Sequence, residues 1–114
     1  MVHVFVNPKL YYAEASITAG ASGELEVKLE RNGTLKYMFV KADGSKPTKS
    51  TCTILIRGQP IVKDKVLAHT LGSSIQDAIE FNIPLREGDV VEVGVTNNEG
   101  ADKTFTLEVL VDEG

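Results

Sequence analysis

Tryptophan is absent from this 114-residue chain, cysteine occurs once, histidine twice, and aromatic residues make up only 6% of the total. Each shortage removes a class of chemistry. The single cysteine, Cys52, has no partner for an internal disulfide and reads as a small buried residue between Thr51 and Thr53. One thiol and two widely separated histidines, His3 and His69, fall short of the four converging donors of a zinc site. The same scarcity leaves a serine, threonine or cysteine nucleophile without an obvious base. A carbohydrate platform would have only Tyr11 and Tyr12, which are adjacent and therefore face opposite ways in a strand. No apolar run approaches the roughly 20 residues of a membrane helix. Residues 1–8 lack the basic start and cleavage site of a secretory signal. The expectation is a soluble protein made in a reducing cytoplasm, without a membrane partner.

Charge is present but unevenly spread. The formal net charge is −4, which speaks against a general nucleic-acid binder. Residues 41–65 hold six bases against two acids, whereas residues 76–114 hold ten acids against two bases. Such asymmetry can generate complementary patches between copies. The basic stretch has no aromatic residues to stack on bases, so no nucleic-acid partner is expected.

Alternation with a period of two runs along most of the chain, and no helical stripe exceeds two turns. Leu25, Val27 and Leu29 alternate with Glu24, Glu26, Lys28 and Glu30, and Phe105, Leu107, Val109 and Val111 form a second inward row. Further strands are expected near 2–6, 10–18, 51–57, 60–68, 77–83, 89–96 and 103–111, with a helical turn near Ser73 to Asp77. Turn chemistry separates them at residues 19–23, 43–47, 58–60, 72–74, 86–89 and 97–102. Eight or nine strands in one small domain imply an all-β fold with two packed antiparallel sheets, a β-sandwich whose spacing leaves an immunoglobulin-like or a jelly-roll topology open, with the strand count favouring the jelly roll. Residues 1–9 read as an N-terminal edge strand or arm, and 10–114 as a single domain.

Parity around Arg31-Asn32-Gly33 sets which side chains share a face. A three-residue hairpin loop with Gly33 left-handed pairs Leu29 with Leu35, Val27 with Tyr37 and Leu25 with Phe39, sending Tyr37 and Phe39 inward. On that register Met38, Val40, Leu55, Val90 and Leu110 point outward. Together with Val2, Val4, Phe5 and Val6 of the first strand, they mark a candidate interaction surface.

Other motifs carry less. The loop Asn97 to Asp102 offers oxygen donors around Gly100 but lacks the spacing of a helical calcium loop, and reads as a solvated hairpin loop. Glycines leading into a helix, as a phosphate cradle needs, are missing. Asp64, Asp77, Glu80 and Asp89 are spread along strands and no pair stands out for glycoside chemistry. No catalytic residue, cofactor or metal is expected.

The stretch from Ile83 to Val93, followed by Thr104 to Val109, resembles the closing strands of small jelly-roll and sandwich proteins common among virion capsid, decoration and tail components. The resemblance spans about a quarter of the chain and implies no residue-level role. What it implies is a non-enzymatic structural or assembly protein, a homo-oligomer or a subunit docked on a larger shell, with a virion as its location. The alternative is a sandwich module that binds carbohydrate or another ligand.

Overall fold

The computed structural model describes residues 7–61, 66–71 and 78–113, without the side chains of His69 and Thr70. Among these described residues nine strands run in chain order: β1 (Pro8–Ile17), β2 (Ser22–Lys28), β3 (Gly33–Ala42), β4 (Thr51–Ile56), β5 (Gln59–Pro60), β6 (Val66–Leu67), β7 (Ile83–Leu85), β8 (Val90–Thr96) and β9 (Lys103–Asp112). A 3-10 turn occupies Ala68–Leu71. One sheet has the order β1-β9-β3-β7 and the other β2-β8-β4-β5, with β6 also pairing to β4. The antiparallel partners nest: β1 with β9, β2 with β8, β3 with β7, and β4 with β5 and β6. A long hairpin rolled so that successive pairs fall in opposite sheets is a jelly roll.

Alternation supplies the core between the sheets, as the sequence implies. Leu25, Val27 and Leu29, Val91, Val93 and Val95, and Phe105, Leu107, Val109 and Val111 are all buried there. Cys52 lies in the same interior.

The expected β2–β3 hairpin does not form. β2 lies in one sheet and β3 in the other, so residues 29–32 cross between layers. Leu29 closes that end, donating its amide to the Asp89 carbonyl and accepting from Gly88. Gly33 is not among the left-handed glycines. Its requirement is space, because a Cβ there would stand 2.5 Å from Cγ1 of Val111 and 3.0 Å from the Asp112 carbonyl oxygen.

A register shift then reverses the assignment of faces. Leu35 is opposite Val111, but Tyr37 is opposite Leu110, so Lys36 is an extra residue and β3 carries a bulge. Beyond it, Met38, Val40 and Ala42 share the inner face with Val109, Leu107 and Phe105. Met38 and Val40 are therefore core residues, contrary to the outward expectation. Tyr37 and Phe39 occupy the opposite face, stacked with centroids 6.3 Å apart and planes 9° from parallel. They are nevertheless buried. The segment ahead of β7 runs beside them, its Phe81 amide bonded to the Lys36 carbonyl and Glu80 accepting from the Tyr37 hydroxyl at 3.1 Å.

Other differences are local. Arg57 and Gly58, both left-handed at φ 53 and 74, form the two-residue turn of a β4–β5 hairpin. Residues 78–82 are irregular where a strand over 77–83 was expected, because pairing to β3 starts only at Ile83. The loop over 97–102 joins strands of different sheets and is not a hairpin. The expected helical turn at 73–77 and the first strand at 2–6 lie outside the described residues.

Candidate functional site

The outer face of the first sheet is built by alternation from three neighbouring strands. From β1 come Leu10, Tyr12, Glu14 and Ser16, opposite Leu110, Glu108, Thr106 and Thr104 of β9. Tyr37, Phe39 and Lys41 of β3 lie beyond them, opposite Leu110, Glu108 and Thr106. Leu10 is 54% exposed and Tyr12 57%, while Leu110 beside them is half-buried. The apolar strip is thus covered at its β3 end and open at its β1 end. Lys41 pairs with Glu108 at 3.6 Å. The Tyr12 hydroxyl donates to Glu14 at 3.0 Å, and this bond, helped by partial desolvation and the charges of Glu14 and Glu108, raises the phenol pKa.

β1 is also the edge of its sheet. It keeps a ten-residue register with β9 from Pro8↔Asp112 to Ile17↔Lys103 without interruption. On the far side of the same sheet β7 has three residues, and in the other sheet β5 and β6 have two each. Short edge strands of that kind resist pairing with other chains. The remaining long edge, β2, carries Glu24, Glu26 and Lys28 outward, all exposed. The outer face of β1 presents Leu10 and Tyr12 ahead of Glu14 and Ser16. Its inner side is anchored: Tyr11 is buried, its hydroxyl donating to Glu113 and accepting from the Glu30 amide, with Lys9 5.8 Å over its ring. Burial, outweighing the bond from the Glu30 amide and reinforced by Glu113, holds the Tyr11 pKa above its ordinary value.

The residues singled out from the sequence do not converge. Val2, Val4, Phe5 and Val6 lie outside the described residues, as does His3. Met38 and Val40 are internal. Leu55 and Val90 sit half-buried on the outer face of the second sheet, and Leu110 on that of the first. Sequence reasoning missed Leu10. It treated Tyr12 only as a sugar platform, although the parity of β1 already separates Leu10 and Tyr12 from Tyr11, Ala13, Ala15 and Ile17.

The second sheet bears a shallow open groove of about 220 Å³ over Gly94, bordered by Ser22, Glu24, Thr51, Thr53 and Thr96. A side chain at position 94 would come within 2.9 Å of the Thr53 hydroxyl, so glycine keeps the floor low. Glu92, directly opposite Glu26 and diagonal to Glu24, has a raised pKa because of desolvation and those two neighbouring carboxyls. In the 97–102 loop the oxygens are turned to backbone amides: Glu99 to Lys49 and Ser50, Asn97 to Glu99, and Asp102 to Ala19. Among the described residues no group of three or more His, Cys, Asp or Glu side chains is arranged to hold a metal ion.

The uneven charge of the chain is used partly within one copy, since Lys41 reaches Glu108 and Arg57 reaches Asp89 at 3.1 Å. The Cys52 thiol is pushed up to about 11 by burial, which makes it a poor nucleophile.

No family model matches the sequence, and no curated protein matches it either. Among solved structures, the Yersinia pseudotuberculosis-derived mitogen superposes with a TM-score of 0.57 at 13% identity, over 94% of this chain and 89% of that one. At that identity the likeness establishes a common all-β fold and nothing about activity. Dimeric latent PorU from Porphyromonas gingivalis matches 95% of this chain and 13% of its own, at 13% identity and a TM-score of 0.37. That score is too low to carry an argument.

Proposed function

We propose that the protein is a non-enzymatic assembly module that associates through the β1 edge and the adjoining outer face of the first sheet. The observation that carries this reading is the asymmetry of the edges. Among the described residues one is long, unbroken and carries Leu10 and Tyr12 beside Glu14, while the others are short or lack large exposed apolar side chains on their outer face. An exposed edge of that length offers backbone donors and acceptors to another chain, and two large apolar side chains add burial when it is covered. A capsid, decoration or tail component of a virion is one assembly such a module would serve, in keeping with the resemblance of the closing strands.

Sedimentation velocity over a wide concentration range tests the reading, with Tyr12→Lys as the control. Concentration-dependent association that the substitution weakens is expected. A monomer at every concentration, for both proteins, would refute association of the chain with itself.

A second reading draws on the groove over Gly94, whose hydroxyls and nearby carboxylates suit a polyhydroxylated ligand such as a carbohydrate. A glycan array decides it: binding that is lost in Thr53→Val supports a saccharide site, and no binding to any glycan removes it.

A further inference from the structure

We infer that the occupant of the β1 edge is a second copy of this chain, its β1 running antiparallel about a two-fold axis at Tyr11, so that Leu10 of each copy meets Tyr12 of the other. The inference depends on β1 being the docking edge and adds the partner and the register.

The first step concerns which backbone groups are available. The Glu113 amide donates to the Asn7 carbonyl, and the pairing of β1 with β9 keeps the same register from there to Ile17. Antiparallel ladders alternate between pairs that exchange hydrogen bonds and pairs that do not. The odd-numbered residues of β1 therefore exchange bonds with β9, and those of Leu10, Tyr12, Glu14 and Ser16 turn their N–H and C=O groups outward. Thr104 agrees with this parity. It is opposite Ser16, and its carbonyl accepts instead from Asp43, on the β3 side. Among the described residues, no backbone bond is made by those four outward positions outside their own sheet.

The second step concerns register. A two-fold axis perpendicular to the sheet keeps both outer faces on one side, and it pairs even residues with even residues. Centred on Tyr12, it would oppose Leu10 to Glu14 of the other copy. Centred on Ala13, it would oppose Leu10 to Ser16 and Tyr12 to Glu14. Centred on Tyr11, it opposes Leu10 to Tyr12 twice, and Lys9 to Ala13, with no like charges facing each other. Aromatic against aliphatic is a favourable cross-strand pair, whereas an apolar side chain against a carboxylate is not. This last register also extends the apolar strip, because Leu110 lies beside Leu10 on the outer face of its own copy. The product is one continuous sheet across two copies, in which residues 8–14 of each β1 pair with those of the other and Pro8, opposite Glu14, accepts a bond but has no N–H to donate.

Three variants that each add one cysteine test the arrangement in the full chain: Leu10→Cys, Tyr12→Cys and Ala13→Cys, oxidised alone and as mixtures. Native Cys52 is buried and does not compete. Sedimentation equilibrium of the unmodified protein accompanies them, and circular dichroism confirms that each variant is folded. The expected result is a dimer in which the Leu10→Cys and Tyr12→Cys mixture gives a mixed disulfide, as cross-strand neighbours at normal Cα spacing permit. Tyr12→Lys should raise the dimer dissociation constant by about tenfold or more. A disulfide from Leu10→Cys alone, Tyr12→Cys alone or Ala13→Cys alone would overturn the Tyr11-centred pairing while leaving the docking edge in place. So would a dimer that none of the mixtures cross-links. A monomer throughout would overturn both.

Discussion

Glu99 ties the β8–β9 loop to the β3–β4 loop, two crossings between the sheets, and replacing it measures how much that tie contributes. Its Oε2 accepts from the Lys49 amide at 2.9 Å, the Ser50 amide at 2.7 Å and the Ser50 hydroxyl at 2.7 Å. Ser50 is fully buried, and its hydroxyl oxygen also accepts from the Asn98 amide at 3.1 Å. Burial acts to raise the Glu99 pKa, but the bonds from Ser50 and Lys49 and the Lys49 charge outweigh it, and the net shift is downward. Bonds to a charged acceptor are worth about 1.5–3 kcal/mol and neutral ones about 0.5–1.5 kcal/mol. Glu99→Gln keeps the shape and loses the charge, so it should cost about 1–2 kcal/mol at pH 7, or a fall in Tm of about 5–10 °C. Glu99→Ala strands the amides and should cost about 2–4 kcal/mol. Urea unfolding across pH is the assay. Because the folded-state pKa is depressed, the contribution is complete above the unfolded carboxylate value of about 4.3 and is lost as pH falls through the folded value below it. The gap between the wild-type protein and Glu99→Gln should therefore close on acidification. A gap absent at pH 7, or one that persists undiminished at the acid end, would refute the reasoning.

Two further outcomes test the interior. Met38→Ala should cost about 2–5 kcal/mol in chemical unfolding, as for other buried large side chains, and a loss well under 1 kcal/mol would put Met38 outside the core and the bulge in doubt. The Cys52 thiol should resist an aromatic disulfide reagent at pH 8 until the protein unfolds, since burial holds its pKa at about 11. Rapid modification of the native protein would contradict its position.

The parity of the individual strands is a local property, and the chain declares it openly. β2, β8 and β9 bury the residues that alternation picks out, because a side chain's face in a pleated strand depends only on its neighbours along the chain. The scarcity of cysteine and histidine is legible in the same direct way. Tyr11 and Tyr12 separate inward and outward as adjacent residues must. Which strands lie side by side is a different matter. The stretch Arg31-Asn32-Gly33 has the composition of a hairpin turn, but β2 finds β8 and β3 finds β9, partners more than fifty residues away. Only the burial of both inner faces at once selects that nesting. The Lys36 bulge is equally hidden, because an extra residue leaves no mark in composition and yet exchanges Tyr37 and Phe39 for Met38 and Val40 in the core. The candidate surface follows from the same cause. Leu10 and Tyr12 are outward by local parity, but β1 becomes an exposed edge only because the roll places β9 on one side of it and nothing among the described residues on the other.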